Sequence, residues 1–121
     1  MIPKNTLVLG ASDNPSRYSY LAIKRLHQAG HPVKAIGRKH SFVGDTEILT
    51  EMRFFENIDT ITLYMNPVQQ QPYYNYILSL KPNRIIFNPG AENHELAALA
   101  KAQGIKTMEA CTLVMLSTNL Y

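Results

Sequence analysis

The sequence is poor in features that define several large classes of protein. It contains one cysteine, no tryptophan and only 17% charged residues. Because Cys111 stands alone, no disulfide can form within the chain, and a reducing compartment is the natural location. The apolar run near the N-terminus is too short for a signal peptide, and no apolar segment is long enough to cross a bilayer. We therefore expect a cytoplasmic protein without a membrane segment.

Strong charge and metal-ligand patterns are also missing. The net charge is +3, and the lysines and arginines are scattered apart from a cluster at Arg38-Lys39-His40. This balance argues against a nucleic-acid-binding stripe and suits a small anionic ligand. The four histidines lack metal-ligand spacing, so we expect most of them on the surface. Cys111 has no histidine or cysteine beside it and is interpreted as a buried, unreactive thiol.

Sets of residues typical of catalysis do not stand out either. No paired carboxylates and no combination of nucleophile and base are recognisable in the sequence. Gly10-Ala11-Ser12 differs from a nucleophile elbow, which needs a glycine two residues to each side of the serine. The sequence thus indicates a binding protein, and whether it also catalyses a reaction stays open at this point.

Short apolar runs alternate with helical patterns along the chain, which with 121 residues and 45% hydrophobic residues fits one domain over 1–121. This alternation predicts a Rossmann-like three-layer α/β sandwich with a mainly parallel sheet of five or six strands. In the helix near the C-terminal end, Leu96, Leu99 and Ala100 are expected to face inward. Residues 41–58 give no clear pattern, and a short strand at 47–49 and a turn at 54–55 stay open. The predicted strands are 6–9, 31–36, 60–64, 84–87 and 105–108. The predicted helices are 18–29, 73–80 and 93–103, and residues 113–116 are expected to form a final turn or a short helix.

The loop after the first strand has the residue types of a phosphate site. Ligands of such sheets bind outside the carboxyl ends of the strands, where the strand order reverses. Gly10 allows close backbone approach, Ser12 offers a hydroxyl, and the start of the next helix adds amides and a positive dipole end. Arg17 adds a permanent charge suited to phosphate oxygens. A tight turn followed by a solvated arginine is the alternative interpretation.

The loop after the second strand carries cations where a carboxylate is usual. Proteins that bind NAD in this fold place an Asp or Glu there to hold the ribose hydroxyls. This chain has Gly37, Arg38 and Lys39 instead. The replacement favours a nucleotide with an additional ribose phosphate, as in NADP or coenzyme A (CoA). A solvated basic turn remains the alternative.

Two later strands each end in an Asn-Pro pair. Asn66-Pro67 follows the strand at 60–64, and Asn88-Pro89 with Gly90 follows the strand at 84–87. An asparagine at such a position caps the next helix, contacts a ligand or does both. Pro67 and Pro72 must precede the next helix or lie in its first turn, because a proline inside would break it.

The order of these motifs resembles the CoA-binding domain family, which is similar to the N-terminal CoA-binding domain of the succinyl-CoA synthetase α subunit. The matching features begin with VLGAS, Pro15, Arg17 and Ser19-Tyr20, and continue with QAGHPV. They end with a G-x-x-N-x-E pattern from Gly90 to Glu95 that continues to Gly104. The resemblance covers about residues 4–116. The family's usual Asn-Pro pair after the second strand is here Gly37-Arg38.

The resemblance implies a small-molecule site for CoA or an acyl-CoA, without established catalysis in single-domain members. Three functions stay open: a CoA-binding module, an NADP-binding protein or small oxidoreductase, and an interaction protein with a vestigial pocket. A protein partner or a homo-oligomer is possible, whereas nucleic acid and membrane are not expected. By resemblance, the pyrophosphate would lie at Gly10, Ala11, Ser12 and Arg17, the adenosine end at Gly37, Arg38 and Lys39, and pantetheine along Asn66, Pro67, Asn88 and Gly90.

Overall fold

A computed structural model of the chain describes residues 2–121. Seven strands form one sheet in the order β3-β4-β2-β1-β5-β6-β7, and all neighbours are parallel except β3 and β4. The α/β Rossmann-like prediction is confirmed. The strands are β1 (Thr6–Ala11), β2 (Val33–Gly37), β3 (Ser41–Val43), β4 (Thr46–Leu49), β5 (Thr60–Leu63), β6 (Arg84–Phe87) and β7 (Lys106–Glu109).

Helices cover both faces of this sheet. The central strand β1 is apolar on both sides, because Val8 packs with α1 against one face while Leu7 and Leu9 belong to a second cluster on the other. Strands buried on both faces read as continuous apolar runs, which explains why LVL was recognisable from the sequence. The helices are α1 (Tyr18–Gln28), α2 (Pro67–Gln70), α3 (Tyr74–Ser79), α4 (His94–Ala102) and α5 (Thr112–Ser117).

The sheet has more strands than the predicted five or six because residues 41–49 form a hairpin. In this hairpin β4 pairs parallel with β2, and β3 returns antiparallel along the outer edge. The hairpin takes the place of a helical crossover between β2 and its neighbour β4. Its strands are short and contain polar residues at half-buried positions, so they lack the apolar run that identifies the central strands.

The segment predicted as one helix near 73–80 is divided. Pro67 occupies the first turn of α2, and a 3-10 turn at Gln71–Tyr73 containing Pro72 precedes α3. Both prolines therefore lie where a missing amide hydrogen is tolerated. No helix within residues 2–121 combines the length and apolarity needed to cross a bilayer.

Two details of the buried set, at Leu99 and Cys111, differ from the sequence-based expectation. Leu99 is 43% exposed, so its predicted inward position is wrong, whereas Leu96 and Ala100 are buried. Cys111 is half-buried, so its thiol is less sheltered than expected. His31 is buried while the other three histidines are exposed, as predicted for most of them.

Candidate functional site

A cleft of about 800 Å³ lies outside the carboxyl ends of β1, β2, β5 and β6. The chain proceeds from β1 to β2 on one side and later adds β5 on the other side, so the strand order reverses beside β1. Ligands of doubly wound sheets bind at such a reversal point. The volume lies within the range of small-molecule sites in proteins.

The loop between β1 and α1 is held by its own short polar side chains. The Ser12 hydroxyl oxygen accepts a hydrogen bond from the Asn14 amide at 3.0 Å. The Asn14 Oδ1 atom in turn accepts from the Ser16 amide at 3.0 Å. Turns of this kind fix the backbone without tertiary contacts. The loop therefore delivers Arg17 and the start of α1 to the cleft in a defined position.

The start of α1 is free to receive an anion. Arg17 precedes the helix in an extended conformation, and no side chain caps the helix or places a carboxylate in its first turn. The first amides of a helix have no acceptor within the helix. Tyr18 and Ser19, which carry two of these amides, line the cleft. The exposed Arg17 side chain lines it too, so donors and a permanent positive charge meet at one place.

The cations of the second loop reach the same cleft. Arg38 and Lys39 follow β2 and line the cleft beside the loop between β1 and α1. The Lys39 Nζ atom lies 3.3 Å from Asp13 Oδ2, and both side chains are substantially exposed. An exposed ion pair of this type contributes little to stability. A ligand phosphate can therefore replace Asp13 as the partner of Lys39 at small cost.

Close packing of the chain around the end of β1 requires two of the predicted site glycines. A Cβ atom on Gly37 would lie 2.2 Å from the Ala11 carbonyl oxygen. At Gly10 the φ angle is +87°, and a Cβ atom would lie 2.9 Å from the Tyr64 carbonyl carbon. Gly10 also interrupts the register of β1 against β2. Both glycines line the cleft, and their missing side chains serve the neighbouring strands as well as any ligand.

The loop after β5 ends in a capping box at the start of α2. The Asn66 Oδ1 atom accepts from the Gln69 amide at 2.9 Å, and Gln69 Oε1 accepts from the Asn66 amide at 3.0 Å. The capping role expected for Asn66 is therefore present. Neither the Asn66 Nδ2 atom nor the Gln69 Nε2 atom donates a hydrogen bond to another residue among residues 2–121. Asn66 and Gln69 both line the cleft and offer it amide donors.

Asn88, after β6, has a different position from the one that its sequence suggested. It is 1% exposed and does not line the cleft. Its Nδ2 atom donates to Thr62 Oγ1 and to the Leu63 carbonyl, and its Oδ1 atom accepts from the Thr112 amide at 2.9 Å. Asn88 thus joins β6 to β5 and to the start of α5. Gly90 lies farther along the same loop and does line the cleft.

The predicted site residues are thus brought together, with Pro67 and Asn88 as the two that do not line the cleft. The first two loops and the start of α1 contribute Arg17, Arg38, Lys39 and Asp13, and we call this side the cationic half. The other side carries no formal charge, and we call it the neutral half. The cationic half comprises residues 10–13, 17–19, 36–39 and 41, and the neutral half comprises residues 64–66, 69, 73 and 89–91.

Several residues of the cleft escaped sequence analysis. Tyr64 belongs to the neutral half, and burial raises the pKa of its phenol above the ordinary value of 10. Tyr73 and Gln69 extend the neutral half. Their only sequence signal is proximity to the Asn-Pro pair. No group of three or more metal-ligating side chains occurs in the part of the chain that the structure describes.

A mainly parallel sheet with a polar cleft at the reversal of strand order defines a Rossmann-like α/β protein. Within this class, a family model described as CoA binding domain matches residues 4–117. The chain belongs to this family of CoA-binding domains. No curated protein matches the sequence.

Solved structures share the fold of this chain. A crystal structure described as that of an uncharacterized protein is 48% identical, with a TM-score of 0.97 and full coverage of both chains. A hypothetical protein from Pyrococcus horikoshii OT3 is 19% identical, with a TM-score of 0.86 and coverage of 98% and 84%. A protein from Thermus thermophilus is 21% identical, with a TM-score of 0.86 and coverage of 98% and 91%. The latter two show the shared fold.

Proposed function

We propose that the protein binds coenzyme A or an acyl-CoA in the cleft at the carboxyl ends of β1, β2, β5 and β6. The observation that carries this proposal is the division of the cleft into a cationic half and a neutral half. CoA has the same division, because a nucleotide with phosphates at its 5′ and 3′ positions is joined to the uncharged pantetheine. Family membership supports the same ligand class.

The cationic half suits the nucleotide portion. The unpartnered amides at the start of α1, together with Ser12 and Arg17, supply donors for a diphosphate. Arg38 and Lys39 supply charge for the 3′-phosphate of the ribose. The absence of a carboxylate after β2 disfavours NAD, whose ribose diol is usually held by Asp or Glu at this place.

The neutral half suits pantetheine. Pantetheine contains two amide groups, whose carbonyl oxygens need hydrogen-bond donors. The free side-chain nitrogens of Asn66 and Gln69 are donors of this kind. The role we propose is binding without catalysis by the chain itself. The single carboxylate among the lining residues is Asp13, and it is paired with Lys39.

The proposal is tested by calorimetric titration of the full chain with CoA, 3′-dephospho-CoA, NADP and NAD. We expect CoA to bind most tightly, dephospho-CoA more weakly and NAD most weakly of the four. Thermal unfolding gives an independent check, because a ligand of the folded state raises the melting temperature by mass action. Absence of CoA binding at millimolar concentration, with clear binding of NADP, would overturn the proposal in favour of an NADP protein.

A further inference from the structure

Gln70 is a fully buried side chain directly behind the neutral half. Its Nε2 atom donates to the Met65 carbonyl at 2.7 Å and to the Ala91 carbonyl at 2.8 Å. Met65 belongs to the loop after β5, Ala91 belongs to the loop after β6, and both residues line the cleft. One side chain therefore joins the two loops that form the walls of the neutral half.

The two loops need such a link because the sheet does not connect them. Pairing between β5 and β6 ends at Leu63 and Phe87. Beyond this point the loop after β5 continues into α2, and the loop after β6 continues into α4. Asn88 makes a first connection through its bond to the Leu63 carbonyl, and Gln70 makes the next one, nearer the ligand space.

The orientation of the Gln70 amide is fixed by a hydrogen bond with Asn93. Its Oε1 atom accepts from Asn93 Nδ2 at 2.8 Å, so its nitrogen must face the two carbonyls. Asn93 is held in turn, because its Oδ1 atom accepts from the Leu96 amide and caps α4. Both hydrogens of the Gln70 amide group are thus used, and each connects one wall of the cleft to the buried side chains of Gln70 and Asn93.

We propose that Gln70 is a positioning residue that sets the separation of the two walls of the neutral half, and so the affinity for the pantetheine portion of the ligand. This inference rests on the proposed function. Loss of the Gln70 amide leaves the Met65 and Ala91 carbonyls unpaired in a buried place, and the loops must move apart to find water. The cationic half shares none of these bonds, so its contacts with the nucleotide persist.

The experiment compares two ligands on the full chain. CoA fills both halves, whereas 3′-phosphoadenosine 5′-diphosphate, which is CoA without pantetheine, fills only the cationic half. Gln70→Met keeps the length of the side chain and removes its hydrogen bonds. Asn93→Ser is a milder second variant, because serine can still cap α4 but does not hold the Gln70 amide. Thr6→Val is the matched control, since it removes a buried hydroxyl bonded to Tyr121 at the opposite end of β1.

For Gln70→Met, calorimetry should show CoA affinity reduced about tenfold and affinity for the nucleotide changed by less than about twofold. Asn93→Ser should shift the same ratio in the same direction by a smaller factor, and it carries the test if Gln70→Met does not fold. Thr6→Val should leave the ratio unchanged even if it lowers the melting temperature. Equal losses for both ligands, or unchanged CoA binding in a folded variant, would overturn the positioning role alone. Failure of the unmodified protein to bind CoA would overturn the proposed function itself.

Discussion

The cationic half and the neutral half of the cleft are built by different means. The cationic half rests on backbone contact, since β1 and β2 approach so closely that Gly37 has no room for a side chain. Its charged groups are then carried outward on exposed side chains. The neutral half rests on buried amides, because Gln70 and Asn88 connect loops that no strand pairing joins. The charges of the cationic half are thus carried by a closely packed strand pair, and the shape of the neutral half depends on side-chain hydrogen bonds.

The largest expected difference between the halves concerns their glycines. In Gly37→Ala, the new methyl group would lie 2.2 Å from the Ala11 carbonyl oxygen, which forces β1 and β2 apart. We expect the free energy of unfolding to fall by about 3 kcal/mol. In Gly90→Ala, the methyl group meets no atom within 4 Å. The remaining cost there is the φ angle of +92°, worth about 1–2 kcal/mol.

Urea denaturation of both variants measures this difference directly. Equal losses of stability in the two variants would contradict the claim that the cationic half depends on close backbone contact.

A smaller effect is expected from a charge in the cationic half. Arg38→Ala should weaken CoA binding about tenfold, because a charge-assisted bond to the 3′-phosphate is lost. Binding of 3′-dephospho-CoA should change much less, since it lacks that phosphate. Calorimetry with both ligands measures the two affinities.

The control for Arg38→Ala is Lys34→Ala, which removes an exposed cation near the other end of β2. If Arg38→Ala lowers the affinity for both ligands equally, Arg38 does not contact the 3′-phosphate.

The smallest effect distinguishes the cleft from the opposite end of the sheet. There, burial and the nearby charges of Lys4 and Arg84 lower the pKa of His31 from its ordinary value of 6.5. As the pH falls below 6.5, the unfolded chain therefore binds a proton at His31 that the folded chain does not yet bind. Stability should be unaffected by His31 above this pH and should decrease from there down to the folded-state pKa.

Melting temperatures measured across this pH window provide the check on His31. His31→Gln should flatten the decrease, and His27→Gln, at an exposed position in α1, should leave it as it is. A steeper decrease in His31→Gln would show that the ring is not neutral in the folded state.

The sequence predicted the part of the molecule that depends on regular patterns. Buried parallel strands appear as apolar runs such as LVL and RIIF, and a loop that follows such a strand is recognisable by position. This is why Arg38 and Lys39 could be located in the cleft region. The β3–β4 hairpin escaped apart from a short strand at 47–49, which corresponds to β4, because both of its strands lack that pattern.

The supporting side chains could not be predicted, because burial of a polar residue has no local signal. Gln69, Gln70 and Gln71 are consecutive and chemically identical. Gln69 lines the cleft, Gln70 is fully buried and Gln71 is exposed. Asn66 and Asn88 both precede a proline, yet one lines the cleft and the other lies beneath it. Only the packing of the loops after β5 and β6 separates these cases.

Backbone amide shifts in a nuclear magnetic resonance titration test the two-part cleft most directly. The protein is titrated with CoA and, separately, with 3′-phosphoadenosine 5′-diphosphate. We expect both ligands to shift the amides of Ser12 and Gly37 in the cationic half, and CoA alone to shift those of Gly90 and Ala91 in the neutral half. Shifts at Gly90 and Ala91 with the nucleotide alone, or no CoA-dependent shifts in either half, would contradict the account.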